Sequence, residues 1–377
     1  MNATSEVEGR LRRLAAAREG WHVSIGLPIE AEADAAHRFQ VHLSNAVRRA
    51  DHLLADAGAR ETERDRLLRP IVQRFGPEAP RPPRAAGLAI FSAPETLETV
   101  ATAFPLAERV EVGGHFMLRP LLPCLARATE FRVLAVSRNA LRLLVATADT
   151  VRRIELPAID ADEGPATAER ARELEARSAV TIGGSSSPRV KLVHAAAPTG
   201  GEAERVDLDR YARRVAAAVT PHLAGSDAPI VLAAPERYLP LLRLALGDLP
   251  VVAGGVPGSH DRSSDEELRD AAWQRVVAWR AERRARLLER FESLEGERLA
   301  LREVDEVLFA AERGRVAVLL AAEDRPVAHA GAASELATED EKVERAIAAV
   351  LGHGGSIEPL PRDDMPGRGA LAALLRW

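Results

Sequence analysis

Apolar side chains recur at every second position from residue 131 to residue 145, on both sides of an Arg138-Asn139 pair. Side chains of a strand alternate between its two faces, and a polar pair favours a tight turn, so this pattern predicts a β-hairpin over 131–145. Further along, the fully apolar run 228–233 precedes a helical pattern over 236–247. A short apolar run leading into a helix is typical of an α/β sheet. We expect the hairpin and the 228–233 strand to share one sheet.

The region before the hairpin predicts an α/β domain. Its expected elements are a helix over 4–18, strands over 22–27, 87–92 and 110–112, and a helical pattern over 30–58. The segment 76–84 carries four prolines, which exclude a helix or a central strand, so we expect a loop there.

The region after the hairpin continues the alternation of helix and strand. The expected elements are Gly-containing loops at 183–188 and 195–202, a helix over 206–219, a strand over 249–252 and a long helix over 265–294, with Ser263 or Ser264 as its N-cap. Beyond it the pattern predicts helices over 304–311 and 342–351 and strands over 316–321 and 356–358. The chain is therefore α/β, with three α/β domains predicted at 1–126, 127–275 and 276–377.

Composition narrows the function classes. The 377 residues have a hydrophobic fraction of 46%, a net charge of -5 and a pI of about 6.1, so bulk charge does not indicate a nucleic-acid partner and any RNA contact must come from local arginine clusters. Cys124 is the only cysteine, so no internal disulfide is expected, which fits a reducing compartment. No apolar run reaches the roughly 18 residues of a membrane span, and the first residues lack the apolar core of a signal peptide. We expect a cytoplasmic protein without a membrane partner.

The ordered series of elements resembles the three-domain release factors of archaea and eukaryotes, an architecture shared with Pelota. It is most similar to the bacterial members of that superfamily, which include the Balon-type ribosome hibernation factors. The stretches that carry the resemblance are FRVLAVSRNALRLLVATADTVRRIELP, DRYARRVAAAV followed by APIVLAAPERY, REVDEVLFAAERGRVAVLLAA and ALAALLRW. The resemblance implies domains in release-factor order, an RNase-H-like middle domain and an L7Ae-like C-terminal domain.

The resemblance also implies where function would reside. Family members that release peptides carry Gly-Gly-Gln on a middle-domain loop. The candidates here are Gly183-Gly184-Ser185 and Gly200-Gly201-Glu202, and neither has Gln. We expect the loop at Gly200, Gly201 and Glu202 to contact rRNA or tRNA without hydrolysis, because Glu lacks an amide donor. An ordinary loop before a helix is the alternative.

Two further groups are candidates for rRNA contacts. Asn45, Arg48 and Arg49 lie where the family's codon-reading Asn-Ile-Lys-Ser segment falls, but the Lys-Ser pair is missing. The densest basic run includes Arg280, Arg283 and Arg284. Solvated helix faces explain both groups as well, since glutamates interleave with the second as ion-pair partners. The histidines are scattered without metal-ligand spacing, so we predict no metal and no cofactor.

These observations lead to a functional expectation. The chain is expected to bind the rRNA of the 70S ribosome at the A site as a hibernation factor in the stress response, and not to act as an enzyme or bind DNA. Ribosome rescue and peptidyl-tRNA hydrolysis are the alternatives, and delivery by an elongation-factor GTPase is left open. A nuclease on the RNase-H-like scaffold would need converging carboxylates, and the 131–145 hairpin has none.

Overall fold

A computed structural model describes residues 3–17, 20–30, 34–76, 85–137, 140–156, 200–323 and 333–377. The chain forms two compact units. One combines Met1–Ala128 with Ala285–Trp377, and the other comprises Thr129–Arg284. The predicted division into three domains stays a prediction, because the units are defined by spatial contact and join the two terminal regions.

The N-terminal region of the first unit is a four-stranded sheet with helices. Its helices are α1 Ala3–Ala16, α2 Ala35–Asp56, α3 Glu61–Phe75 and α4 Leu122–Arg127, and its strands are β1 His22–Pro28, β2 Gly87–Ala93, β3 Thr96–Thr102 and β4 Arg109–Gly113. The strand order is β3-β2-β1-β4, and all neighbours are antiparallel. Ile25 of the buried strand β1 pairs with Ile90 on one side and Val110 on the other.

The second unit contains the sheet that the sequence predicts. Its elements are β5 Phe131–Val136, β6 Leu141–Ala146, β7 Val151–Ile154, α5 Gly200–Leu223, β8 Ile230–Ala234, α6 Leu239–Leu246, β9 Val256–Pro257 and the first part of α7 Asp265–Glu295. The order is β7-β6-β5-β8-β9, antiparallel from β7 to β5 and parallel from β5 to β9. Phe131 pairs with Ala146, and Val133 pairs with Val231. The predicted hairpin and its shared sheet with the 228–233 strand are confirmed; the Arg138-Asn139 turn lies outside the described residues.

Helices cover both faces of this sheet because its strands are apolar on both sides. Leu134 and Leu232 pack on one face with α5 and α6, whereas Phe131, Val133 and Val231 pack on the other with α7. Ser264 caps α7 as predicted: its Oγ accepts a hydrogen bond from the Glu267 amide, and the Glu267 carboxylate accepts one from the Ser264 amide.

The C-terminal region adds a third sheet. Its elements are β10 Ala300–Leu301, α8 Val304–Glu312, β11 Val316–Ala322, α9 Ala333–Gly352, β12 Ser356–Leu360 and β13 Leu371–Leu375. The order is β10-β13-β11-β12, with only the β11–β12 pair parallel among these neighbours. The predicted α/β class is thereby confirmed, and the described residues form three sheets.

One hydrophobic core joins the two terminal regions of the first unit. Leu14, Phe91 and Leu118 from the N-terminal region pack in the same cluster as Leu319 and Val343 from the C-terminal region. All five side chains are at most 2% exposed. The two terminal regions of this unit therefore depend on each other to bury the apolar side chains of this core.

The structure corrects one predicted strand. Residues 249–252 form only a single bridge, Val251 to Ile230, and β9 lies further on at Val256–Pro257. Pro250 cannot donate a ladder hydrogen bond, which limits pairing there. Gly254 and Gly255 then turn the chain, with φ of 84° and 62°. Strands β3, β7, β9, β10 and β13 were not predicted. The first four are short or carry polar residues that weaken the alternation, and the apolar run of β13 does not alternate.

Candidate functional site

The exposed face of α2 carries the first predicted group. Buried residues such as Leu43, Ala46 and Ala50 recur at helical spacing and fix this helix against the N-terminal sheet. Asn45, Arg48 and Arg49 lie on the opposite face and are exposed. Arg48 Nη2 donates to Asn45 Oδ1, so the pair forms one polar feature while the Arg49 side chain reaches solvent. This arrangement presents two guanidinium groups and suits contacts with phosphates.

The second predicted group lies in a helix and not in a loop. Helix α5 begins at Gly200, so Gly200, Gly201 and Glu202 form its first turn, and the loop prediction for these residues was wrong. The Gly-Gly pair suggested a turn, but the following sequence is rich in Ala, Glu and Arg, which favour helix, and it contains no proline before Pro221. The other candidate, Gly183-Gly184-Ser185, lies outside the described residues.

The third predicted group lies on α7. The Arg283 guanidinium carbon is 5.7 Å from the centre of the Trp279 ring, one helical turn earlier, in a cation–π contact. Arg283 is exposed, whereas Arg280 and Arg284 are half-buried. The three groups thus lie on three different helices, α2, α5 and α7.

An ion cluster that the sequence did not reveal fixes the start of α7. Arg142 of β6 and Arg153 of β7 both donate to Asp265, at 2.9 and 2.8 Å. Arg142 also donates to the carbonyls of His260 and Ser263, so it holds the loop between β9 and α7. The hydrogen bond from Arg153, followed by the attraction of both guanidinium groups, lowers the pKa of Asp265 and keeps it ionised. Arginines in two separate strands give no sequence signal for this meeting point.

A second unpredicted cluster is buried in the first unit. Glu344 of α9 accepts hydrogen bonds from the Leu118 amide at 2.7 Å and from the Arg119 amide at 3.3 Å. Arg119 is 1% exposed and donates through Nη1 to Asp340 at 3.2 Å. Burial raises the pKa of Glu344 to about 7, against the attraction of Arg119 and the two backbone donors. The cluster connects the segment before α4 to helix α9, so its role in the fold is structural.

Neither cluster has the form of a hydrolytic centre. Within the described ranges, no group of three or more His, Cys, Asp or Glu residues could hold a metal ion. The five strands of the middle sheet carry no Asp or Glu, so they offer no carboxylates for a two-metal nuclease. No described helix is both long and apolar enough to cross a membrane.

Comparison with known proteins shows that the region around the middle sheet is release-factor-like. The model of bacterial archaeo-eukaryotic release factor family 3 matches residues 130–315, about half of the chain, from β5 to the loop before β11. This region belongs to the bacterial archaeo-eukaryotic release factor family. No curated protein matches the sequence.

Solved structures of an archaeal release factor and of Pelota proteins are similar to this chain over much of their length but at low identity. The archaeal translation termination factor aRF1 is 14% identical with a TM-score of 0.27, covering 100% of this chain and 99% of its own. Pelota from Archaeoglobus fulgidus is 16% identical with a TM-score of 0.32, covering 77% and 79%. Archaeal Pelota, from a model of its ribosome-bound form with ABCE1, is 13% identical with a TM-score of 0.38, covering 98% and 94%.

Proposed function

We propose that this protein is a cytoplasmic translation factor that binds the A site of idle or stressed 70S ribosomes and holds them without catalysing peptide release. The observation that carries the proposal is the match of residues 130–315 to a release-factor family in a chain that has no Gly-Gly-Gln. The five Gly-Gly pairs of the sequence are followed by His115, Ser185, Glu202, Val256 and Ser356.

Chemistry supports binding over hydrolysis. The resemblance to release factors implies a mechanism in which a glutamine-bearing loop helps to place a water molecule against peptidyl-tRNA. Here Glu202 occupies the position after the Gly-Gly pair, and a carboxylate is a hydrogen-bond acceptor only. Such a group has no amide N–H to donate and is repelled by RNA phosphate.

The exposed face of α2 supports an RNA contact in this proposal. Arg48 and Arg49 are available to solvent on a helix whose opposite face is fixed in the core. We expect Arg48→Gln combined with Arg49→Gln to weaken ribosome binding, because each lost phosphate contact removes one charge-assisted hydrogen bond. Arg69→Gln, an exposed arginine on α3, serves as the control.

Sedimentation of purified protein with 70S ribosomes tests the proposal. Wild-type protein is expected in the 70S fraction, the double variant is expected to move toward the top of the gradient, and the Arg69 variant is expected to behave as wild type. Absence of the wild-type protein from 70S fractions, both in this assay and in lysates of starved cells that produce it, would refute ribosome binding.

A release assay separates binding from the enzymatic alternative. Ribosomes loaded with peptidyl-tRNA are incubated with wild-type protein and with Gly201→Ala. We expect no peptide release above the background without protein. Release by the wild type that disappears in the Gly201 variant would replace the proposal with peptidyl-tRNA hydrolysis. Splitting of stalled ribosomes only when a translational GTPase is added would instead support a rescue factor.

A further inference from the structure

A surface of the C-terminal region combines exposed aromatic rings with arginines. We name it the Phe309 surface, and it comprises Arg298, Phe309, Arg313, Arg315 and Trp377. Phe309 is 54% exposed and Trp377 is 66% exposed. Exposure of large aromatic side chains to water is unfavourable relative to their burial. Two of them beside several arginines therefore indicate a binding surface.

Phe309 and Arg313 form a stacked platform on α8 and the turn that follows it. The Arg313 guanidinium carbon lies over the Phe309 ring at 3.4 Å from its centre, which is van der Waals distance. Arg313 Nη1 also donates to the Phe309 carbonyl at 3.3 Å, which fixes its orientation. A planar cation held against a ring offers a flat surface on which a nucleobase can stack.

A cavity lies beside this platform. Its volume is about 430 Å³, and its lining residues include Phe309, Leu301 and Leu375 together with Arg298 and Arg315. Arg315 Nη2 donates to the main-chain oxygen of Trp377 at 3.1 Å, so the backbone of Trp377 is held at the same arginine that lines the cavity. Apolar walls with two arginines suit a base and the phosphate that follows it.

The charge balance of the Phe309 surface favours an anionic partner. The cavity also contains Asp305 and Glu306, but Asp305 is neutralised by Lys342 at 2.6 Å. Glu312, at the end of α8, pairs with Arg345 at 2.5 Å. The charge of Glu306 is therefore opposed by the three arginines of the surface, and the net charge of the Phe309 surface is positive. A polyanion whose bases stack is complementary to this combination of charge and aromatic rings.

We propose that the Phe309 surface binds single-stranded RNA by stacking a base on the Phe309–Arg313 platform while Arg298 and Arg315 contact the adjacent phosphates. The inference rests on the proposed function only in the choice of RNA as the nucleic acid. It names a contact on the C-terminal region that is separate from the three groups described above.

Fluorescence anisotropy with the full chain and a labelled 12-nucleotide oligoadenylate tests the inference. Phe309→Ala is expected to raise Kd by roughly 5- to 100-fold, the range of losing one base–aromatic stack, while leaving the salt dependence of binding unchanged. Phe309→Tyr keeps the ring and is expected to bind as wild type. Leu244→Ala removes a leucine that is 75% exposed in the other unit and is the matched control, expected to have no effect.

The arginines are tested by the salt dependence. Arg298→Gln is expected to weaken binding and to reduce the slope of log K against log salt by about 0.7, the value for one phosphate contact of a single strand. Arg313→Lys keeps the charge but loses the plane, so it is expected to weaken binding without changing that slope.

Three outcomes would overturn the inference. One is the absence of oligonucleotide binding by the wild type at low salt, and another is equal affinity of the Phe309→Ala and wild-type proteins. The third is loss of a protein partner, with RNA affinity unchanged, in the Phe309→Ala variant, which would assign the surface to a protein interface. If the oligonucleotide fails to bind while the wild type still sediments with 70S ribosomes, this inference fails and the proposed function stands.

Discussion

Glu344 makes the stability of the first unit depend on pH in a direction opposite to that of most carboxylates. Its pKa is raised from 4.5 to about 7, first by burial and then by the negative charge of Glu111, against the opposing effect of Arg119. A carboxyl group with a raised pKa in the folded state binds its proton more tightly there than in the unfolded chain. Its contribution to stability is therefore fully present below pH 4.5 and is lost as the pH rises through 7.

The size of this effect follows from the pKa difference. The folded and unfolded values differ by about 2.5, and each unit corresponds to about 1.4 kcal/mol, so the contribution amounts to about 3 kcal/mol across this pH window. Glu344→Gln removes the titration and keeps an oxygen that can accept from the Leu118 amide. Local opening of this part of the fold should therefore become easier in the wild type as the pH rises. The free energy of opening of the wild type, relative to that of Glu344→Gln, should fall by about 3 kcal/mol between pH 4.5 and pH 8.

Hydrogen exchange measured by mass spectrometry provides the assay. The peptide that contains Leu118 and Arg119 is followed in wild type and variant at each pH, and the ratio of the two rates cancels the intrinsic pH dependence of exchange. Glu339→Gln, an exposed residue on the same helix, should give a ratio that is independent of pH. A wild-type opening free energy that stays level or rises with pH relative to Glu344→Gln would refute the reasoning, because it would show that attraction to Arg119 outweighs burial.

Three further variants test the second unit and its glycines. Asp265→Asn should lower the free energy of unfolding by about 1–3 kcal/mol in urea denaturation at pH 7. The loss should vanish as the pH falls through the depressed pKa of Asp265, since protonation then breaks the ion pair with Arg153 in the wild type too. Tyr211→Phe removes a buried 2.7 Å hydrogen bond to the carbonyl of Ser137, the residue after β5, and should lower the free energy of unfolding by about 1 kcal/mol. Equal urea midpoints of variant and wild type would show that this hydrogen bond does not stabilise the fold. Gly255→Ala should reduce the melting temperature more than Gly225→Ala, because both have positive φ but only the Gly255 Cβ would meet a backbone oxygen, at 2.7 Å; equal losses would contradict that contact.

Local pattern was sufficient for most helices and strands. The 131–145 hairpin and the 228–233 strand follow from alternation and from short apolar runs, and the structure pairs them with β5 in the middle. The long helix over 265–294 follows from the absence of glycine and proline, and the structure extends it by only one residue. Such signals reside within a window of ten to thirty residues, where side-chain periodicity acts directly.

The parts that the sequence did not reveal depend on distant residues. Glu344 is one of four glutamates in its helix, so the helix sequence does not mark it as buried; the amides that bind it belong to residues 118 and 119, more than two hundred positions away. The start of α5 was missed for a local reason, since Gly200 and Gly201 favour a turn by propensity while the residues that follow them continue the helix. The rRNA roles of Asn45, Arg48 and Arg49 stay predictions, because exposure alone does not distinguish a contact from a solvated face.

The shared core of the first unit has a consequence for synthesis on the ribosome. Leu14 and Phe91 emerge early, but Leu319 and Val343, against which their cluster is completed, emerge more than two hundred residues later, after all of Thr129–Arg284. The nascent N-terminal region therefore waits with part of this shared core uncovered, whereas the middle unit has all its strands before translation ends. We expect the middle unit to gain protease resistance first in a nascent-chain experiment, and the early segment to need a chaperone during that interval.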